Sequence, residues 1–600
     1  MLKYKPHHDT PAAINTYIYN ILMSDFMPLT ISAQAQRDLQ QEHDVVSIYK
    51  GHEVLQQISD ANLIAGWEDL YTDCPWSTVF QSPEFVVTWY KHYHTAYQPL
   101  LIKYISKGKL AGLLTLALDE RRNIIGAGAN QAEYQVWLSA KSNADLFILQ
   151  ALKKLRQHYP NSKISLKYIP EGAPLSWTLK HNYWSKFCIR RDVPQPLLLI
   201  DRAQIAQELK KKNRREKINR LKRLGELKFE RLTDANEFSN VLGELAIQSD
   251  FRKGAMYDKC AFQEDPFRKN FLLELYKQDL LHATVLKVDE TIIASNVGFT
   301  GKSWLHLQGI NTHSPFHAKH SPGILHFLML GNLLAAEGMK VFDLTPGSDP
   351  YKETLATDFC TATELTICGQ NSWLKHKLKY KLNEYLKKKL PKTGLQREKL
   401  RRFKHESELL KQKANLLKSK GLSLWLQQNI HKIKAKSKQT VLKLNHSAVT
   451  TSTNITLHRD SLSDLLLYKP TNSLTTKWEF LAEAMNRFEQ GQHCYSWSEN
   501  NCLLGWCWES NQKALKTSVE FDQELPADAV ILYGYHTCLQ VQNRLDEFIL
   551  TAVAAAGKVH QDIYLLKNSN NSALYTSLAK NGLTQAKALP TQTSIAKLRL

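Results

Sequence analysis

The chain has 600 residues, more than a single hydrophobic core normally holds, so two to four domains are expected. Hydrophobic residues make up 43% and aromatic residues 10% of the sequence, which excludes a generally disordered chain. The formal net charge is +21, but 22 Lys and Arg against four Glu lie between Trp373 and Asn445. The positive charge therefore belongs to one segment, and the rest of the chain is close to neutral.

Composition also limits the compartment and the metal content. The sequence has no window of 18 or more uncharged apolar residues, and its N-terminus has no continuous apolar core of the signal-peptide kind. These two observations predict a cytoplasmic protein. The nine cysteines are scattered, odd in number and without CxxC pairs, which predicts reduced thiols and argues against a structural zinc site.

A first α/β unit is predicted over residues 62–200, after a lead-in of residues 1–61. Its clearest element is a helix that begins at Pro83, behind the N-cap Ser82. A hairpin, a strand, a helix and another strand follow. The first helix has an aromatic face of Phe85, Trp89 and Tyr93. We expect this face to pack in the core, and the alternative is that it forms the wall of a substrate pocket.

A second unit is predicted over residues 201–370 and opens with a strongly basic helix from Lys210 to Arg223. Three interpretations of this helix remain open: a solvated surface, a clamp on a phosphate-bearing donor or acceptor, and a contact to nucleic acid.

The most informative stretch runs from Leu280 to Lys352. It predicts three strands, a loop with three histidines, an apolar helix that Gly338 ends, and a return strand from Val341 to Leu344. A helix N-terminus leaves backbone N–H donors unpaired, so this order of elements can bind an anionic ligand.

The basic segment, residues 371–450, is predicted to be helical, with leucines on one stripe and lysines on the other face. Such a helix can lie on an anionic membrane surface, or it can pack on the body of the protein. A further domain is predicted over residues 451–600, where Asn570 or Asn571 and Tyr575 follow a strand.

Several stretches, taken in their order, resemble a known family. Together they resemble the FemAB-like branch of the GNAT acyltransferase superfamily, in particular the CelD-like acetyltransferase domain of bacterial polysaccharide biosynthesis. The resemblance covers Trp67 to Asp358, but SPFHAKHSPG (314–323) replaces the glycine-rich pyrophosphate loop of ordinary GNAT enzymes. The stretches that carry it are Phe80–Tyr93, Lys210–Gly225, IIASNVGF (292–299), WLHLQGIN (304–311), Pro322-Gly323 and AAEGMKVFDLTPGSDPYK (335–352).

This resemblance implies an α/β (α+β) fold of tandem GNAT-like domains with mixed central sheets. The basic helical segment and a C-terminal degenerate GNAT-like domain, without the glycines of a pyrophosphate loop, would follow. It also implies acetyl-CoA or another acyl-CoA as the donor, whereas the expectation of no metal rests on the residues themselves.

Four residues are candidates for catalysis. Acyl transfer requires a bound thioester, a neutral acceptor and stabilisation of the developing oxyanion. Asp343 could orient an acceptor amine, Tyr351 could protonate a leaving thiolate, and Lys352 could neutralise a phosphate or the oxyanion. His306 on the central strand is the fourth. Each could instead have an ordinary structural role, with Asp343 bonded to its own turn and Lys352 facing solvent.

Four more residues are expected to contact the donor: Gln308, Asn311, His317 and Gly323. The spacing of His313, His317 and His320 is not that of a standard zinc site, and the loop has no carboxylates. The histidine loop is therefore interpreted as a plain loop or a phosphate contact.

The sequence thus predicts an acyl-CoA-dependent N- or O-acyltransferase acting on a sugar or amino-sugar intermediate of envelope or exopolysaccharide biosynthesis. One alternative is a FemAB-like transferase that uses aminoacyl-tRNA. The other is a non-enzymatic, membrane-associated scaffold, and for the enzyme too a peripheral position at the inner membrane stays open.

Overall fold

Two mixed sheets with helices on their faces make up the structure, which is a computed structural model. It describes residues 45–347, 349–389, 406–415, 441–444, 454–470, 475–515, 525–526, 528–566, 572–580 and 583–585. The predicted α/β (α+β) class with tandem GNAT-like domains is confirmed. Asn570 and Asn571 lie outside the described residues, as does much of the basic segment.

The first sheet contains 13 strands and the second contains seven, among the described residues. The strands are Val45–Lys50 (β1), Gln98–Ser106 (β2), Lys109–Leu118 (β3), Ile124–Gly126 (β4), Leu138–Ser139 (β5), Ile164–Ile169 (β6), Cys188–Leu199 (β7), Leu227–Leu232 (β8), Leu281–Val288 (β9), Thr291–Gly301 (β10), Trp304–His313 (β11), Val341–Asp343 (β12), Asp358–Ile367 (β13), Val441–Leu444 (β14), His458–Arg459 (β15), His493–Glu499 (β16), Cys502–Asn511 (β17), Val530–Thr537 (β18), Ile563–Leu566 (β19) and Leu583–Gln585 (β20).

The helices connect these strands and cover the sheets. They are His52–Gln57 (α1), Ala61–Asp73 (α2), Pro83–Tyr93 (α3), Ala144–His158 (α4), Trp177–Lys180 (α5), Arg202–Lys210 (α6), Lys212–Lys222 (α7), Ala235–Tyr257 (α8), Ala261–Glu264 (α9), Arg268–Lys277 (α10), Pro322–Ala336 (α11), Pro350–Leu355 (α12), Trp373–Lys389 (α13), 406–415 (α14), Leu462–Leu466 (α15), Lys477–Glu489 (α16), Gln512–Leu515 (α17), Leu545–Gly557 (α18) and Ser572–Lys580 (α19).

One strand–helix–strand pattern occurs three times in the described part of the chain. The strand pairs β4/β6, β11/β12 and β18/β19 are each parallel, and each pair is joined through one long helix: α4, α11 or α18. Antiparallel strands precede each unit. Two parallel strands need such a crossover connection between them. The repeated unit agrees with the predicted tandem domains.

The two predicted halves, residues 62–200 and 201–370, contribute strands to one continuous sheet. The strand order is β1-β2-β3-β4-β6-β13-β7-β12-β11-β10-β9-β8, with β5 on β3. Strand β13, the last of the second half, therefore lies between β6 and β7. Local sequence patterns do not specify such long-range pairing.

The basic helix differs from its predicted start. It begins at Lys212, because Lys211 has extended backbone angles (φ −56°, ψ 137°) that separate α6 from α7. By contrast, α3 begins as predicted: the Ser82 hydroxyl accepts a hydrogen bond from the N–H of Phe85 at 3.2 Å.

The second sheet packs on the first through helix α16, which lies against α8. Phe488 on α16 contacts Phe251 on α8 and Phe316 in the loop before α11, at ring distances of 6.0 and 4.6 Å. The Trp478 indole donates to the carbonyl of Ala255 at 3.0 Å. These buried contacts place the C-terminal domain beside the start of α11.

Candidate active site

The site lies where two parallel strands separate. Strands β11 and β12 pair over only three residues, ending at His306 and Asp343. Strand β12 stops there, whereas β11 continues to His313. A wedge therefore opens along the edge of β11 beyond His306.

A β-bulge in β11 coincides with the start of the wedge. His306 lies opposite Phe299, but Gly309 lies opposite the preceding residue Gly298, so Leu307 and Gln308 have no partners on β10. Gly309 has φ +131°, and a Cβ atom there would lie 2.0 Å from the carbonyl oxygen of Val297. Only glycine fits this position without rearrangement.

The predicted residues His306 and Asp343 are in direct contact. The Nδ1 atom of His306 lies 2.7 Å from Oδ2 of Asp343. The same oxygen accepts a hydrogen bond from the Tyr134 hydroxyl at 2.6 Å, and Oδ1 accepts one from the N–H of Thr345 at 2.9 Å. Asp343 is fully buried, and burial together with this carboxylate raises the pKa of Tyr134, which keeps its hydroxyl a donor.

His306 also lines a pocket of about 360 Å³. With Nδ1 directed at Asp343, the second ring nitrogen is the one left for a ligand. Three aromatic rings lie within 6 Å of the imidazole centroid: Phe80 and Tyr134 at 5.5 Å and Trp304 at 5.9 Å. Polar side chains elsewhere in the pocket wall include Glu171, Gln195 and Lys302.

Lys352 follows the strained residue Thr345 by seven positions and supports its conformation. Thr345 has φ +64°, a left-handed conformation that is rare for a β-branched residue. The amine of Lys352 donates to the carbonyl and hydroxyl oxygens of Thr345 at 3.2 and 3.0 Å. Lys352 is only 5% exposed, so it does not face solvent, and burial lowers its pKa.

Tyr351, Asn311 and Gly323 line a second pocket, of about 570 Å³, at the wedge. The side chains of Tyr351 and Asn311 are hydrogen-bonded, and the Tyr351 ring stacks on Phe327 at 6.2 Å. Burial raises the pKa of Tyr351, so its hydroxyl keeps its proton at neutral pH.

The other two predicted donor contacts lie outside the wall of this pocket. Gln308 donates its side-chain amide to the carbonyls of Asn130 and Gln131, at 2.8 and 3.3 Å. It therefore links the bulge to the loop that carries Tyr134. The His317 ring lies 3.2 Å from the hydroxyl of Ser314, within its own loop.

Helix α7 contacts the start of α11. The amine of Lys217 donates to the hydroxyl of Ser321 at 2.7 Å, directly before Pro322. His320 beside it is 6% exposed, and neither ring nitrogen has a hydrogen-bond partner among the residues that the structure describes. Basic side chains and unpaired helix N–H groups thus meet at one point.

Sequence reasoning missed several residues of the site because they come from distant parts of the chain. Tyr134 belongs to the first half. Arg252 on α8 donates to His313, and burial with this cation lowers the pKa of His313 to about 4. Met485 and Glu489 of α16 complete the wall of the second pocket. No local pattern identified any of them.

Among the described residues, no group of three or more His, Cys, Asp or Glu side chains could hold a metal ion. Within the same part of the chain, no helix has the length and apolarity needed to cross a membrane. All nine cysteines are free thiols.

Residues 209–353 match the family model described as an acetyltransferase (GNAT) domain. This segment is a GNAT-type acyltransferase domain. Every catalytic and donor-binding residue predicted from the sequence falls within it, and the prediction of an acyltransferase is confirmed. The narrower FemAB-like and CelD-like assignments stay predictions.

The solved structures that resemble the chain are distant in sequence. FemX is 11% identical (TM-score 0.37), and the match covers 52% of this chain and 97% of FemX. L-PGS from Bacillus licheniformis is 13% identical (TM-score 0.35), and the match covers 51% of this chain and 92% of L-PGS. A GCN5-related N-acetyltransferase from Sphaerobacter thermophilus is 10% identical (TM-score 0.26), and the match covers 53% of this chain and 94% of that protein. No curated protein sequence matches the chain.

Proposed function

We propose that the protein transfers an acyl group from acyl-CoA to an amine or hydroxyl of a sugar or amino-sugar intermediate in envelope or exopolysaccharide biosynthesis. The observation that carries the proposal is the contact of the buried Asp343 with His306, which lines a pocket where the pairing of β11 and β12 ends. The carbohydrate acceptor rests on the CelD-like resemblance, and residues 373–445 stay a predicted contact to an anionic membrane.

In this proposal the donor lies in the wedge. The pyrophosphate would bind at the start of α11, where Lys217 and the helix N–H groups meet. The pantetheine arm would run past Asn311 and Tyr351 towards the bulge. The apolar side of the wedge pocket, with Met256, Ile324 and Phe327, suits the arm's uncharged chain.

The acceptor would enter the 360 Å³ pocket beside His306. Its nitrogen or oxygen attacks the thioester carbonyl and passes a proton to the free nitrogen of His306, while the carbon–sulfur bond breaks and the thiolate takes up a proton. Asp343 fixes the imidazole and stabilises its protonated form. Lys352 holds the turn that positions Asp343, which we assign as its role instead of direct contact with the oxyanion.

Titration calorimetry with acetyl-CoA tests the donor. We expect saturable binding at one site, and Lys217→Ala should weaken it about tenfold by removing one charge and the bond to Ser321. Lys277→Ala is the matched control, since Lys277 is an exposed lysine on α10. The absence of binding to acetyl-CoA and to longer acyl-CoAs would overturn the proposal.

The second candidate is transfer from aminoacyl-tRNA. The exposed basic residues of α7 beside the start of α11 favour any donor with several phosphates, and this helix also carries Lys212, Arg215, Arg220 and Lys222. Binding of tRNA would fall steeply with salt. Affinity for tRNA without affinity for CoA esters would therefore select this candidate, and affinity for neither would leave the scaffold alternative.

A further inference from the structure

One side of helix α13 is anchored to the body of the protein. The ring of Trp373 packs against Phe187 at 6.1 Å. Further along the helix, the amine of Lys377 donates to the carbonyl of Lys186 at 3.4 Å, and the Tyr380 hydroxyl donates to the carbonyl of Arg190 at 3.0 Å. These contacts fix the rotation of the helix about its own axis.

The opposite side of α13 exposes a row of leucines. Leu374, Leu378 and Leu382 are 57%, 60% and 59% exposed. At about 3.6 residues per turn, residues four apart lie above one another, roughly opposite Trp373 and Tyr380. A single exposed leucine is ordinary, but three in one row form a continuous apolar stripe on an outer surface.

Exposed lysines flank this leucine stripe on both sides. Lys375 and Lys379 lie along one border, and Lys381 lies along the other. Long lysine side chains can extend their amines away from an apolar layer while their methylene groups stay in it. An apolar stripe with cations on both borders is the arrangement of helices that lie in the interface of an anionic bilayer.

We infer that α13 binds the surface of a bilayer containing anionic lipids, with Leu374, Leu378 and Leu382 inserted among the acyl chains and the flanking lysines at the headgroups. Nucleic acid would engage the lysines and leave the leucines in water. A bilayer can bind the leucines and the lysines at the same time, because its headgroup layer is anionic and the layer below it is apolar. This inference is independent of the proposed acyl-transfer chemistry.

Co-sedimentation of the full chain with vesicles tests the inference. Phosphatidylcholine vesicles are compared with vesicles in which part of that lipid is replaced by phosphatidylglycerol. We expect binding to the anionic vesicles only, weakened by salt. Replacing all three stripe leucines by serine (Leu374→Ser, Leu378→Ser, Leu382→Ser) should lower the partition coefficient at least about tenfold, because each loses its apolar insertion.

The matched control replaces three equally exposed apolar residues elsewhere: Leu224→Ser, Leu539→Ser and Val559→Ser, whose exposed fractions are 53%, 62% and 65%. The control should bind vesicles like the parent chain. A stripe variant that still binds, a control that loses as much, or no binding by the parent chain would overturn the inference. A dimer of the parent chain that the stripe substitutions dissociate would do the same, since it would identify a second copy as the occupant.

The experiment separates this inference from the proposed function. The leucines are exposed, so the variant should keep the melting temperature of the parent chain. Calorimetry with acetyl-CoA on the same variant should give unchanged affinity. Loss of vesicle binding with unchanged donor binding supports the membrane contact. If the parent chain, the stripe variant and the control variant all fail to bind CoA esters, only the acyltransferase proposal is contradicted.

Discussion

Three groups contact the carboxylate of Asp343, and we expect its charge to affect the rate of the reaction more than its shape does. One carboxylate oxygen meets Tyr134 and His306, and the other accepts the N–H of Thr345. Asp343→Asn keeps the size of the side chain but removes the charge that would stabilise a protonated His306. We expect kcat to fall about 10²- to 10⁴-fold with little change in the donor KM. Steady-state kinetics with circular dichroism as a folding check measures this.

His306→Gln should cause a loss of similar size, because the free ring nitrogen is the proposed proton acceptor. His94→Gln is its control, as His94 is an exposed histidine at the end of α3. If the His306 variant kept the full kcat, the imidazole would not be the base.

The buried His326 should make the free energy of unfolding depend on pH. It is 1% exposed, and burial lowers its pKa to about 3 from an ordinary value of 6.5. Below pH 6.5 the unfolded chain takes up a proton on this histidine that the folded chain does not. The free energy of unfolding therefore decreases as the pH is lowered from about 6.5 to about 3. From this group alone we expect a loss of about 1 kcal/mol between pH 6.5 and 5.5.

Urea unfolding of the parent chain and of His326→Gln at the two pH values measures this contribution. Glutamine can still bond Thr284, whose hydroxyl lies 3.1 Å from the His326 ring, but it does not titrate. The variant should show the smaller pH dependence. Equal slopes for the two chains would contradict the assignment to His326.

At the scale of elements, the bulge in β11 depends on one backbone conformation. Gly309→Ala would place a methyl group against the Val297 carbonyl at a φ that L-residues rarely adopt. We expect it to lower the free energy of unfolding by about 1–3 kcal/mol or more. Donor affinity should also fall, since the wedge starts at this bulge. Chemical unfolding and calorimetry give the two values.

Gly243→Ala is the contrasting control. This glycine lies inside α8, and a Cβ atom there would meet nothing within 4 Å. Alanine should raise stability by about 0.5–1 kcal/mol. Equal destabilisation by the two substitutions would show that the conformation at Gly309 is not special.

The sequence predicted the strands and the helix of the site better than it predicted which distant residues contact them. Period-two and period-3.6 patterns identified β9 to β12 and α11, and hence the neighbourhood of His306 and Asp343, because those signals are local. Tyr134 reaches Asp343 across 209 positions, and no pattern within either segment encodes that contact. The break at Lys211 was missed because a run of lysines favours helix throughout and gives no stop signal.

On the scale of the whole molecule, the C-terminal domain contributes to the site of another domain. Met485 on α16 lines the wedge pocket although it lies well outside the GNAT segment. Met485→Trp should narrow the pocket and weaken acetyl-CoA binding about tenfold, with a smaller effect on kcat. Calorimetry and kinetics measure both quantities.

Asn486→Trp adds the same bulk one residue further along α16, at an exposed position, and should leave donor binding unchanged. Donor affinity that is equal in the Met485 variant and the parent chain would mean that α16 covers the pocket without touching the donor. The sequence could not foresee this wall, since Met485 lies in a helix whose own pattern indicates only an apolar core.

Strand β7 gives the chain an unusual order of assembly. Both of its neighbours, β12 and β13, come later in the sequence, ending at Asp343 and Ile367. During synthesis β7 therefore leaves the ribosome long before either partner exists. One of its edges stays open until residue 343 has emerged, and the other until residue 367 has emerged. Non-local pairing of this kind slows folding and exposes strand edges to aggregation. The nascent first half is thus the stage at which we expect this chain to be most prone to aggregation.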